Sequence, residues 1–215
     1  MNKLKAFATL LTKPDRLKAL LSYGHKGYLA NIGWFTSFDN QQALDLDGEP
    51  LPWVTYSFID FIKTRLNNDM KIFEFGSGSS TLFYAKRVKR VVSVEHDEAW
   101  FNKIVQSKPQ NAEMIFSKLE RGGEYSKKAV ATGEKFDMII VDGRDRVNCC
   151  KSSIAALAPA GVIVLDDSER KDYEEAGTFL KAEGFKELSF SGISPGLFYL
   201  KATSVFYKAD NCLQI

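Results

Sequence analysis

Polar groups able to do chemistry gather at four points of the sequence. The first is the turn Glu74-Phe75-Gly76-Ser77-Gly78-Ser79-Ser80-Thr81, where Gly76 and Gly78 let the backbone bend tightly and approach a ligand that a Cβ would push away. Ser79, Ser80 and Thr81 suit the cap of a following helix, whose first amides would face the same ligand. About 20 residues further on, Glu95 in Val94-Glu95-His96-Asp97 stands where an acid accepts from both hydroxyls of a ribose. Asp97, and with less reason Glu95, would otherwise cap the next helix. The last two points are Asp142 and the pair Asp166-Asp167. The glycine turn alone is a weak signal, because GSGSS is not GxGxxG; its weight comes from the acids that follow.

These residues sit where short apolar runs end. Lys71-Ile72-Phe73-Glu74-Phe75 precedes the glycines, a helical Thr81 to Arg87 follows, and Val91-Val92-Ser93-Val94 completes a β-α-β unit. Glu98 to Gln106 has helical spacing, Ala112 to Phe116 reads as a short strand, and Phe136 to Val141 as a strand covered on both faces. Val147 to Ala158 predicts a helix closed by Pro159 and Gly161, followed by a strand from Val162 to Leu165. A polar helix from Lys171 to Ala182 stops at Gly184, and two last strands, near Phe185 to Phe190 and Thr203 to Tyr207, flank a Gly192 to Gly196 loop. Ahead of all these, the spacing predicts a helix from Pro52 to Leu66 with Pro52 in its first turn. Strands alternating with helices imply a mostly parallel sheet with helices on both faces, and ligands that bind beyond the carboxyl ends of its strands.

The run IFEFGSGSST, followed by VVSVEHD, FDMIIVDG and GVIVLDD, resembles in order and spacing the motifs of class I S-adenosylmethionine-dependent methyltransferases, over residues 52–207. The resemblance implies a Rossmann-like three-layer α/β/α sandwich around a seven-stranded sheet with its last strand antiparallel. It places Glu74, Gly76 and Gly78 around the methionine half of the cofactor, with Ser77, Ser79, Ser80 and Thr81 of the same turn and helix start also binding the cofactor. Glu95 would hold the ribose, His96 would lie beside the adenosine, and Asp142 would sit where the methyl meets the acceptor. Trp53 and Tyr56 would close over the methionine end or else serve as core, and the loop Ser117 to Leu119 would lie near the adenine.

Three carboxylates at neighbouring strand ends, Asp142, Asp166 and Asp167, form a set suited to a hard cation such as Mg2+ or Ca2+. The set resembles that of the catechol and caffeoyl-coenzyme A O-methyltransferases, where an Asp after the fourth strand and an Asp-Asn pair after the fifth hold a divalent metal. Here the pair is Asp166-Asp167, and Asp142 is followed by Gly143-Arg144-Asp145-Arg146. Arg144 or Arg146 is therefore an alternative partner for the acids through forked hydrogen bonds, or a grip for an anionic acceptor. Asp167-Ser168-Glu169 also suits a cap ahead of Lys171. If the acceptor must lose a proton, Asp142 is the first candidate base, with Asp166 and Asp167 behind it. His25 and His96 lie far apart, no nucleophile motif is present, and Cys149 and Cys150 suit packing, so covalent catalysis is not expected.

Composition narrows the partners. Of 215 residues 45% are hydrophobic, enough for a substantial core, and 29 basic against 27 acidic residues leave a net charge of +2 that steers neither nucleic acid nor an anionic membrane. Three cysteines without disulfide or metal spacing suggest a reduced, cytoplasmic protein. Met1 to Leu21 lacks the apolar run of an export signal, and no stretch approaches the roughly 20 apolar residues of a membrane helix. Residues 1–50 read as an N-terminal extension, helical from Arg16 to Leu21 and rich in Gly, Tyr, Trp and Phe beyond, that either covers core or acts as a lid; residues 51–215 carry the cofactor domain. The expectation is a methyltransferase for a small-molecule acceptor, methylated at oxygen or nitrogen. The same scaffold would also serve an aminopropyltransferase, an NAD-dependent oxidoreductase or a non-catalytic cofactor-binding module.

Overall fold

Apolar runs with no polar face form the centre of the molecule, as expected of strands buried on both sides. In the computed structural model, which describes residues 8, 9 and 11–215, they become β1 (Lys71–Phe75), β2 (Arg90–Glu95), β3 (Ala112–Phe116), β4 (Phe136–Val141), β5 (Leu157–Asp166), β6 (Lys186–Gly192) and β7 (Lys201–Tyr207). Part of the reading of Met1 to Leu21 falls on residues 1–7 and 10, outside the described residues. The sheet runs β3-β2-β1-β4-β5-β7-β6, parallel except for β7, which is antiparallel to both neighbours.

Alternation along the strands feeds two apolar layers. Ile72, Met138 and Val162 pack on one face with Phe58 and Ile62 of α4 (Tyr56–Lys63) and Phe83 of α5 (Ser79–Ala85). Phe73, Phe75 and Ile139 pack on the other with Cys149 of α8 (Arg146–Ser153) and Leu180 of α9 (Glu174–Ala182). The remaining helices are α1 (Pro14–Ser22), α2 (Tyr28–Asn31), α3 (Trp34–Asn40), α6 (Glu98–Val105) and α7 (Lys128–Ala131). Among the described residues no helix is long and apolar enough to cross a membrane.

Many element ends shift by one to three residues from the sequence reading, and two differ with a clear physical cause. The helix expected from Pro52 begins only at Tyr56, because the backbone amide of Thr55 donates to Thr203 Oγ1 (3.1 Å) and that of Tyr56 to Ile193 O (3.0 Å). Pro52 and Trp53 thus lie on a segment laid against β7 and the loop after β6. The helix expected from Val147 to Ala158 ends at Ser153, passes through a 3-10 turn at Ile154–Ala156, and gives way to β5, which starts at Leu157 opposite Phe136. Strand pairing overrides Pro159 and Gly161 here: the register shifts between Phe136 and Met138, and a Cβ on Gly161 would lie 2.9 Å from Phe136 O.

The aromatics of residues 28–38 divide between core and surface. Trp34 is buried and stacks on Phe38 at 5.0 Å, and its Nε1 donates to Leu197 O at 2.6 Å in the β6–β7 loop. Gly33, at φ +76°, allows this approach, since a Cβ there would meet Leu46 N at 2.8 Å. Tyr28 stays about half exposed. Trp34→Phe keeps an aromatic ring, though a smaller one, and strips Leu197 O of its donor; it is expected to cost about 1–3 kcal/mol in urea unfolding and to speed amide exchange in the β6–β7 loop. An unchanged midpoint with unchanged exchange would uncouple the extension from that loop.

Candidate active site

β1 and β4 are neighbours whose chains leave in opposite directions, β1 into α5 on one face and β4 into α8 on the other, so the sheet parts at their carboxyl ends. A cleft of about 410 Å³ opens there. Its floor is backbone. Gly76 adopts φ +100°, and a Cβ on it would lie 3.3 Å from Gly143 Cα; a Cβ on Gly143 would lie 2.2 Å from Tyr125 Oη. Each glycine removes bulk where two turns and any ligand must meet.

One side of the cleft carries acids satisfied by hydroxyls and amides. Glu74 is buried, and its Oε2 accepts from Thr81 Oγ1 at 2.7 Å and Ser93 Oγ at 2.9 Å. Burial pushes its pKa above the usual carboxylate range, and the hydroxyls hold it back. Glu95, also buried, accepts from Ser77 Oγ at 2.8 Å and from the amides of His96 and Asp97 at 2.8 and 2.9 Å. The glycine loop is thereby tied to the end of β2. Trp100 completes the tie, its Nε1 donating to Ser77 O at 3.0 Å and its ring lying 3.7 Å from where a Cβ on Gly78 would be. Asp97 caps α6 through Trp100 N (2.9 Å), the alternative that its position allowed.

The opposite side carries acids satisfied by cations. Arg146 Nη2 lies 3.1 Å from Asp142 Oδ1, and Nη1 lies 3.3 Å from Asp167 Oδ2 and donates to Asp166 O. Lys201 Nζ lies 2.6 Å from Asp166 Oδ2 and 2.9 Å from Asp167 Oδ1, and donates to Trp53 O at 3.1 Å. Thr203 Oγ1 donates to Asp166 Oδ1 at 2.7 Å, and Arg170 Nη2 lies 2.9 Å from Asp167 Oδ2. Burial disfavours the Lys201 ammonium, but the Asp166 carboxylate outweighs it and raises the lysine pKa. Asp142 is pushed well above the usual aspartate range by burial and by Asp166, with Arg146 opposing.

These acids meet cations of the chain itself: Asp166 and Asp167 have their oxygens engaged by Lys201, Arg146, Thr203 and Arg170, and Arg146 is one of the two arginines expected as their alternative partners. Among the described residues no group of three or more His, Cys, Asp or Glu is placed to hold a metal ion. The capping alternative for the 167–169 segment gives way: Asp167 Oδ atoms face the cations, and Glu169 Oε2 accepts from Ala202 N at 2.7 Å.

Of the residues expected at the site, Trp53, Gly76, Ser77, Ser80 and His96 line the cleft together with Glu74, Glu95 and the three aspartates. Gly78, Ser79 and Thr81 stand behind that wall, with Thr81 holding Glu74. Tyr56 is 3% exposed within the core and does not line the cleft, nor do residues 117–119. Trp53 is 46% exposed, anchored through Nε1 to Pro195 O at 2.7 Å. Lys201, Arg170, Trp100 and Gly143 were not singled out as site residues; only Lys201 leaves a trace in sequence, a lysine opening the strand Lys-Ala-Thr-Ser-Val-Phe-Tyr. Cys149 and Cys150 are packing residues, and burial pushes the Cys150 thiol up to about 12.

Comparison with known proteins shows the fold. No protein-family model and no curated protein matches the chain. Among solved structures, the O-methyltransferase TomG from Streptomyces achromogenes, in complex with S-adenosylmethionine, superposes with a TM-score of 0.54 at 14% identity, over 69% of this chain and 77% of that one. A precorrin-6y C5,15-methyltransferase from Geobacter metallireducens gives 0.53 at 15% identity, over 80% and 97% of the two chains. A methyltransferase-like protein from Silicibacter pomeroyi gives 0.52 at 22% identity, over 74% and 89%. The chain has the Rossmann-like fold of class I S-adenosylmethionine-dependent methyltransferases, as its motifs implied.

Lys201→Met leaves Asp166 and Asp167 buried with one cation fewer. The expected cost is about 3–5 kcal/mol, a fall in Tm of roughly 6–20 °C read by calorimetry. A Tm within a degree or two of wild type would show that the lysine does not hold these acids.

Proposed function

We propose that the chain transfers the methyl group of S-adenosylmethionine to the oxygen or nitrogen of a small-molecule acceptor. The observation that supports this most is one cleft, at the parting of β1 and β4, that has a glycine floor with buried Glu95 at one end and Asp142 at the other. The residues present fit the cofactor: Gly76 and Gly143 clear the space a Cβ would fill, Glu95 offers carboxylate oxygens for ribose hydroxyls, and His96 stands next to it for the adenosine. Glu74, Ser77 and Ser80 border the methionine half, with Trp53 over it.

Bound there, the cofactor supplies a methyl carbon on a sulfonium, which an acceptor lone pair attacks as the carbon–sulfur electron pair returns to sulfur. The chain has to orient the acceptor in line and take up its proton. Asp142 suits the second task. Its side chain is 23% exposed in the cleft, whereas those of Asp166 and Asp167 are engaged with Lys201 and Arg146. With its pKa raised by burial and by Asp166, Asp142 takes a proton more readily than an exposed aspartate. Asp166 and Asp167 act through others, holding Arg146 and Lys201 in place. No step is assigned to a divalent cation. The aminopropyl and NAD readings gain no support from TomG or the precorrin-6y enzyme, both named as methyltransferases.

Titration calorimetry with S-adenosylhomocysteine tests the reading. Wild type is expected to bind it, Glu95→Ala to bind about 10–100-fold more weakly through loss of hydrogen bonds to a charged group, and Gly76→Val not to bind. Binding of NAD with no response to S-adenosylhomocysteine would overturn it.

A further inference from the structure

The acceptor end of the cleft holds more positive charge than its acids use. Asp142, Asp166 and Asp167 are matched by Arg146 and Lys201, with one further contact from Arg170 Nη2 to Asp167. Arg170 lines the cleft with its side chain 48% exposed, and its Nη1 and Nε make no hydrogen bond to any described residue. Arg144, exposed and lining the same cleft, has a guanidinium with no hydrogen bond or ion pair to any described residue. At this end Arg144, Arg146, Arg170 and Lys201 face three carboxylates, while the other two acids of the cleft, Glu74 and Glu95, are held by hydroxyls and amides of the opposite wall. A sulfonium placed nearby would add to the excess.

The rim beside these arginines is apolar. Tyr199, Leu197 and Trp53 line the cleft, Tyr199 is 49% exposed, and the Trp53 ring is held by Pro195 O. Exposed aromatic and aliphatic surface at the mouth of a cleft with free guanidinium groups matches a ligand with an apolar body and an anionic head.

We infer that the acceptor is such a molecule, an aromatic or aliphatic compound bearing a carboxylate or phosphate that Arg144 and Arg170 recognise through forked, charge-assisted hydrogen bonds. This rests on the methyl-transfer reading. The same chemistry has a second source, the cofactor's own carboxylate, and the test separates the two.

Titration calorimetry on protein saturated with S-adenosylhomocysteine compares benzoate and phenyl phosphate with the neutral isostere benzamide. At least one anion is expected to bind about tenfold or more tighter than benzamide. That preference is lost in Arg144→Gln and reduced in Arg170→Gln, while both variants bind S-adenosylhomocysteine within about twofold of wild type. Arg144→Gln also keeps its Tm, since its exposed guanidinium pairs with no described residue, whereas Arg170→Gln gives up the ion pair to Asp167 and lowers it. The stronger of the two anions names the head group. Equal binding of all three probes, or a preference unchanged in both variants, overturns the inference. So does loss of S-adenosylhomocysteine binding in Arg144→Gln with methylthioadenosine binding retained, which assigns the arginine to the cofactor. Failure of wild type to bind S-adenosylhomocysteine strikes the methyl-transfer reading instead, and the anion comparison on cofactor-free protein still reports on the arginines.

Discussion

Asp166, Asp167, Arg146 and Lys201 are buried together where β4 and β5 end and β7 begins, with Asp142 beside them at the edge of the cleft. An unpaired charge there would cost several kcal/mol, so each acid must keep its cation and each cation its acid. The requirement fixes backbone as well as side chains. Arg146 joins the start of α8 to the end of β5, and Lys201 joins the start of β7 to Asp166 and to Trp53 O ahead of α4. Trp53 in turn holds Pro195, and Leu197 in the same loop is held by Trp34 of the extension. The Asp142 side of the cleft is thus a connected wall reaching from the central strands to α3.

The other wall is built on a different balance. Glu74 and Glu95 meet no arginine or lysine; Thr81, Ser93, Ser77 and two backbone amides satisfy them, with His96 Nδ1 2.9 Å from Glu95 Oε1. Hydroxyl donors leave carboxylate charge to be completed by a ligand, whereas arginine and lysine use it up. That difference between walls argues for a cofactor rich in hydroxyl and amino groups at the Glu95 end, and for proton transfer at the Asp142 end.

Much of this was legible in sequence because period and composition reflect burial. The strands Lys71–Phe75, Ala112–Phe116 and Phe136–Val141 coincide with their expected ranges, as continuous apolar runs between turn residues should. The glycine turn and Glu95 fall in the cleft because chain order at a β-α-β unit dictates where they go. What local pattern could not show came from distant pairing. Thr203 and Ile193, about 140 residues downstream in the chain, delay α4, Phe136 draws Leu157 into β5, and Lys201 reaches back to Asp166. Three clustered acids resemble a metal site in one dimension. The lysine that occupies two of them lies 35 residues away from Asp166 and carries no motif.

A crystal structure with S-adenosylhomocysteine is the most direct measurement. The ligand is expected in the cleft between Gly76 and Gly143, its ribose on Glu95 and its sulfur facing Asp142, with Lys201 and Arg146 still paired to Asp166 and Asp167. Ligand density elsewhere, or a metal ion bridging the three aspartates with Lys201 displaced, would contradict it.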